Sequence, residues 1–143
     1  MNRVQVVKKA NELLKARKSP LAGLEWYFIV FGEEYGVDGR LAIAISGAET
    51  QFGTDPKAGQ DITTGHNAWG YGPHRVFPTW RYGIKVVTSD LGLNYIAKGL
   101  DTIDKIEERW VGYPAPNWKE TVRWVYSHLG GNPDARVTAY LHK

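Results

Sequence analysis

Residues 41–53, LAIAISGAETQFG, constrain the fold more than any other part of the chain. Leu41, Ala42, Ile43, Ala44 and Ile45 leave no polar side for water, so a helix here has to be surrounded by protein. Glu49 follows four residues after Ile45 and eight after Leu41, which puts its carboxyl group on the same face. Partial desolvation at that position favours the neutral form of a carboxyl group. A carboxylic acid that keeps its proton is what general acid catalysis requires. The alternative is that Glu49 marks the wet end of a core helix.

The rest of the chain reads as helices joined by short turns. Val4, Val7, Ala10, Leu13 and Leu14 form a helical stripe between Val4 and Arg17. Ser19-Pro20 predicts a fresh helix from Leu21 to Tyr35, ended by Gly36, and Asp38 is placed to cap the Glu49 helix. Thr79 predicts the start of a helix over Trp80–Lys98, stopped by Gly99. Asp101 or Thr102 opens a shorter one to Trp110, and Asn117 caps Trp118–Leu129. A last helix is expected over Pro133–Leu141. Between Phe52 and Pro78 the periodicity disappears among glycines, prolines and scattered Asp and Thr. Irregular stretches of this length in a small domain are usually functional.

The chain of 143 residues suits one domain, residues 1–143, without a composition break. Hydrophobic residues make up 43% and charged residues 23%, and the net charge is +3, too mild to argue for nucleic acid. The basic residues near the start, Lys8, Lys9, Lys15, Arg17 and Lys18, fit the wet face of an amphipathic helix. There is no cysteine, hence no disulfide and no thiolate chemistry. The first residues lack the apolar core of a signal peptide, and no apolar run reaches the ~20 residues of a membrane span. Six Trp and eight Tyr against four Phe give an aromatic set with polar tips, suited to sugar clefts and equally to a Trp-rich core.

The glycine-rich segments QFGTD (51–55) and GHNAWGYG (65–72) follow Glu49 closely. Alternating glycine and aromatic residues let backbone lie open beside a flat ligand. His66, His74, His128 and His142 lack the spacing of a zinc site, so no metal and no cofactor is expected. The strained Gly-x-Ser-x-Gly turn of a serine nucleophile and the phosphate-cradling glycine loop are also missing.

AISGAETQFG followed by HNAWGYG resembles the glucosaminidase branch of the lysozyme-like superfamily, enzymes that cleave bacterial peptidoglycan. Glu49 matches the family's catalytic acid, Thr50 its small or hydroxyl position and Phe52-Gly53 its aromatic-Gly pair. Asn67-Ala68-Trp69-Gly70 matches the Asn-x-aromatic-Gly element, and Phe77-Pro78-Thr79-Trp80 the aromatic helix start. Pro116-Asn117-Trp118 with Val122 is similar to a late Asn-aromatic motif at the cleft. The similarity runs from about Leu41 to Tyr126; His66 stands where the family often has a second Asn.

The resemblance implies a mainly α, single lysozyme-like domain with a long irregular active-site loop, with room in it for a small β-hairpin. It implies a glycosidase acting on the N-acetylglucosamine/N-acetylmuramic acid backbone. Glu49 would protonate the leaving oxygen. The second role stays open between a carboxylate, Asp61 or Asp55, and the substrate's own N-acetyl group or C6 hydroxyl, the last giving the anhydro ends of a lytic transglycosylase. Trp69, Tyr71, Tyr113 and Trp118 are expected to line sugar subsites, and Asn67 to hold the loop or an N-acetyl group. Tyr95 is a further candidate wall whose neighbours argue for the core, and Trp124 and Tyr126 read as core. The expected partner is peptidoglycan or a related N-acetylated glycan, with no nucleic acid, no membrane insertion and a monomeric chain. Without an export signal, a phage or virus lysis protein made in the cytoplasm and released onto the wall fits best. Rivals are a chitin-type glycosidase, a non-catalytic sugar-binding or structural member of the fold, and a small nucleic-acid binder.

Overall fold

The computed structural model describes residues 1–139, and these form a mainly helical fold. Seven α-helices follow in order: α1 (Arg3–Ala16), α2 (Glu25–Tyr35), α3 (Gly39–Thr50), α4 (Gln60–Thr63), α5 (Trp80–Asp90), α6 (Ile103–Trp110) and α7 (Pro116–His128). Helix α3 is the axis of the molecule. Every residue from Gly39 to Gly47 is buried, as its unbroken apolar run requires. It packs chiefly on α7 and α2, while α5 closes over α2. The crossing of α2 and α3 is tight: a Cβ at Gly39 would run into the Phe28 carbonyl. A single large core runs through α1, α2, α3, α5, α6 and α7, with a small satellite of Val6 and Ile29.

The expected caps at Asp38, Thr79 and Thr102 form, each side chain accepting a backbone N–H of its helix's first turn. Gly36 and Gly99 take left-handed backbone at the ends they were expected to close. Asp38 has a second function in the buried interior. It pairs with Arg40 at 2.6 Å and accepts the Tyr126 hydroxyl at 2.9 Å, which locks the start of α3 to α7. Burial and Asp38 push the Tyr126 phenol well above its ordinary value.

The structure corrects four expectations. Helix α2 starts at Glu25 rather than Leu21, because Ser19 Oγ accepts the Leu21 N–H and donates to the Phe52 carbonyl, folding residues 19–24 into turns. The expected helix over Trp80–Lys98 ends at Asp90 and continues as a π turn (Leu91–Tyr95) and a 3-10 turn (Ile96–Lys98). Gly92 presses there against the Tyr35 carbonyl, and only a residue without Cβ fits. Helix α7 starts at Pro116 with Ala115 as its cap, proline taking the first position in place of an Asn117 cap. Residues 133–139 are not helical; Val137 and Ala139 hydrogen-bond Asp101 and Gly36, and Thr138 bridges to Val37. Leu141 and His142 lie outside the described residues. The 52–78 stretch holds two short helical turns, and among the described residues no hairpin forms.

Candidate active site

Glu49 sits on the last turn of α3, partly buried. The chain leaves that turn through three successive residues of positive φ, Gln51 (51°), Phe52 (62°) and Gly53 (78°). Two of these are not glycine, and such backbone persists only where its surroundings enforce it. Here Thr50 does so: its hydroxyl donates to the Ala68 carbonyl at 2.6 Å and accepts the Gly53 N–H at 2.8 Å. Thr50 thereby ties the helix end to the 65–72 loop.

Two indoles converge on one carboxylate oxygen. Trp118 Nε1 donates to Glu49 Oε2 at 2.9 Å and Trp110 Nε1 donates to the same atom at 3.0 Å. The other oxygen, Oε1, faces Gly70, an exposed residue with φ of 59°. A Cβ there would approach Oε1 to 2.9 Å. With both lone pairs of Oε2 taken by N–H donors, the O–H of a neutral carboxyl group has to be on Oε1. The arrangement orients the group and leaves Oε1 without a hydrogen bond among the described residues.

Trp110 is in turn held between two tyrosines, its ring centroid 6.1 Å from Tyr71 and 6.0 Å from Tyr95. Tyr71 donates its hydroxyl to Asp90 at 3.0 Å, and Asn94 donates to the same carboxylate at 2.7 Å. Burial, with the Asp90 hydrogen bond and charge behind it, pushes the Tyr71 phenol up to about 12, so it remains a donor. The Tyr95 phenol is raised as well, by burial first and the Asp90 charge second. The π turn carries Asn94 and Tyr95 into this cluster. A hollow of about 350 Å³ opens between Gly70, Tyr71, Pro73, Tyr95 and Trp110.

Of the residues named from sequence, Glu49, Tyr71 and Trp118 come together here, joined by Tyr95. Trp118 meets the ligand side differently from expectation: 9% exposed, it grips the carboxylate by its N–H instead of offering a ring face. Trp69 is not a subsite wall. It is completely buried, packs on Phe28 and donates Nε1 to the Ala42 carbonyl at 2.9 Å. Asn67 holds the loop and has nothing left for a ligand: Nδ2 donates to the Tyr71 and Arg75 carbonyls, and Oδ1 accepts the Trp69 and Tyr71 N–H groups.

Asp61 faces a different hollow and bonds to His74 Nδ1 at 3.2 Å. Asp55 caps the 3-10 turn at Pro56–Ala58. Neither is a hydrogen-bond partner of Glu49 or its indoles. Tyr113, 66% exposed, lies in the link between α6 and α7. Trp110, Asp90 and Asn94 went unrecognised in the sequence, where each is an ordinary helical residue. Among the described residues no group of His, Asp and Glu is arranged to hold a metal ion. No helix of the described chain is long and apolar enough to cross a membrane. No family model matches the chain, and no curated protein matches it.

Proposed function

We propose that the protein is a glycosidase acting on the N-acetylglucosamine/N-acetylmuramic acid backbone of peptidoglycan, with Glu49 as general acid. The observation that carries this reading is the double indole grip on Oε2, which leaves Oε1 free beside an exposed glycine. Glycoside cleavage needs a proton on the leaving oxygen as positive charge grows at the anomeric carbon. The aromatic hollow beside Trp110 suits a pyranose ring with its mix of apolar faces and polar edges. The Glu-Thr-x-Phe-Gly and Asn-x-Trp-Gly elements support the same substrate through their resemblance to peptidoglycan glucosaminidases. A part in phage or virus lysis belongs to this reading.

One observation favours the single-acid version, in which the substrate's C6 hydroxyl or N-acetyl group replaces a second carboxylate. The hydrogen-bond partners of Glu49 are two indoles, while Asp61 is engaged with His74 elsewhere. Digestion of purified cell walls by wild type and Glu49→Gln, with mass analysis of the fragments, tests the assignment. Wild type should release muropeptides, and the variant should lose on the order of 10²–10⁴ in rate, the usual worth of a general acid. The new end identifies the bond, and 1,6-anhydro ends identify the transglycosylase route. Equal lysis by the variant would overturn the assignment.

A further inference from the structure

A hollow of about 540 Å³ lies between the end of α3 and the outer side of α7. It takes no part in the contacts that hold the Glu49 carboxyl group, but two of its lining residues are close in sequence to residues that do. Gln51 lines it two residues after Glu49, and Asn117 lines it next to Trp118, whose indole grips Oε2. Its size is that of sites that take ligands of several rings or residues.

Trp124 forms its apolar wall. The sequence places this residue in the core, but the structure leaves it 52% exposed. The exposed ring is held flat: it stacks on His128 with centroids 4.9 Å apart and planes 9° from parallel. One face is thus backed by the imidazole, and the residue lines the hollow. Around it stand the amides of Gln51 and Asn117 and the hydroxyl of Thr121. None of these three side chains makes a hydrogen bond within the described residues, so their donors and acceptors are available to a ligand. Arg17 and Glu120 add one charge of each sign, which leaves the hollow neutral and disfavours a polyanion.

A rigid aromatic plate beside unused amides and a hydroxyl matches the two chemistries of a pyranose, whose C–H face is apolar and whose rim is hydroxyl and amide. We propose that this hollow is a saccharide subsite, with Trp124 as the stacking plate, and that it holds the stretch of an N-acetylated glycan lying beyond the bond addressed by Glu49. The proposal rests on the glycosidase reading for its place along the strand. Its binding chemistry can be measured without catalysis.

The test is titration of the Glu49→Gln protein, whose side-chain oxygen can still accept the two indole N–H groups, with the linear tetramer of N-acetylglucosamine. Calorimetry gives the affinity, and the indole N–H resonance of Trp124, identified with Trp124→Phe, reports the place. The Trp124 signal should shift on titration. In the same background Trp124→Ala should weaken binding about tenfold, Trp124→Tyr should restore most of it, and Asn117→Ala should weaken it about threefold. Trp124 is exposed, so the variants should unfold at the wild-type temperature, which a thermal scan verifies. Absence of tetramer binding at millimolar concentration, or binding indifferent to Trp124→Ala, overturns the proposal. The two readings fail separately. Wall digestion abolished by Glu49→Gln with tetramer binding untouched by Trp124→Ala leaves the enzyme and removes the subsite. Trp124-dependent binding by a protein that digests no wall leaves a sugar-binding site and removes the enzyme.

Discussion

Gly70 is the residue on which the free oxygen of Glu49 depends. A methyl group there would sit 2.9 Å from Oε1 and force a side chain onto backbone of φ 59°. Gly70→Ala should therefore lower wall digestion at least tenfold while costing about 1–2 kcal/mol of stability, read from muropeptide release and denaturant unfolding. The indoles make a complementary prediction. Trp110→Phe and Trp118→Phe keep an aromatic ring and remove one N–H each from Oε2, so each should lower kcat about tenfold, or about 1.4 kcal/mol of barrier. Because both act on one atom, the double variant should fall short of the product of the single effects. Glu49 itself was legible in sequence, since its placement follows from the spacing of Leu41 and Ile45 along one helix. Trp110 was not, because it comes from 61 residues further on and nothing local marks it. Trp69 shows the converse limit: alternation of aromatic and glycine marks a special loop without telling which ring turns inward.

Among the elements, the helices whose ends carry their own chemistry were legible: α3 by Asp38, α5 by Thr79, α6 by Thr102, α2 by Gly36 at its close. The π turn at Leu91–Tyr95 was hidden: it lies where Gly92 meets the Tyr35 carbonyl of another helix, a contact that periodicity within α5 does not report. Helix α2 starts late for a similar reason, Ser19 being spent on the distant Phe52 carbonyl. The closeness of Gly92 to that Tyr35 carbonyl can be measured. Gly92→Ala should destabilise the protein by about 1–3 kcal/mol, the usual cost of an added methyl in packed interior, as a lower urea midpoint at unchanged slope. Since Asn94 and Tyr95 follow directly, the variant should also lower activity by more than its stability loss accounts for.

For the molecule as a whole, pH acts near neutrality through His128 at the end of α7. Burial, with Lys9 nearby as the second cause and Glu12 opposing, holds its imidazole below the ordinary 6.5. Between that folded value and 6.5 the unfolded chain takes up a proton that the folded chain refuses, so stability is complete above 6.5 and is lost as pH falls toward the folded value. Thermal midpoints should drop between pH 7.5 and 5.5, and His128→Phe, which keeps a ring under Trp124, should flatten that dependence. The two indoles that seize Oε2 come from separate helices, α6 and α7, connected by a short surface link and by the Lys119–Asp104 ion pair at 3.5 Å. The carboxyl group is therefore a clasp between them, and its aim is set by their spacing rather than by α3 alone. Anything that draws the last turn of α6 away from the first turn of α7 loosens the acid without touching it.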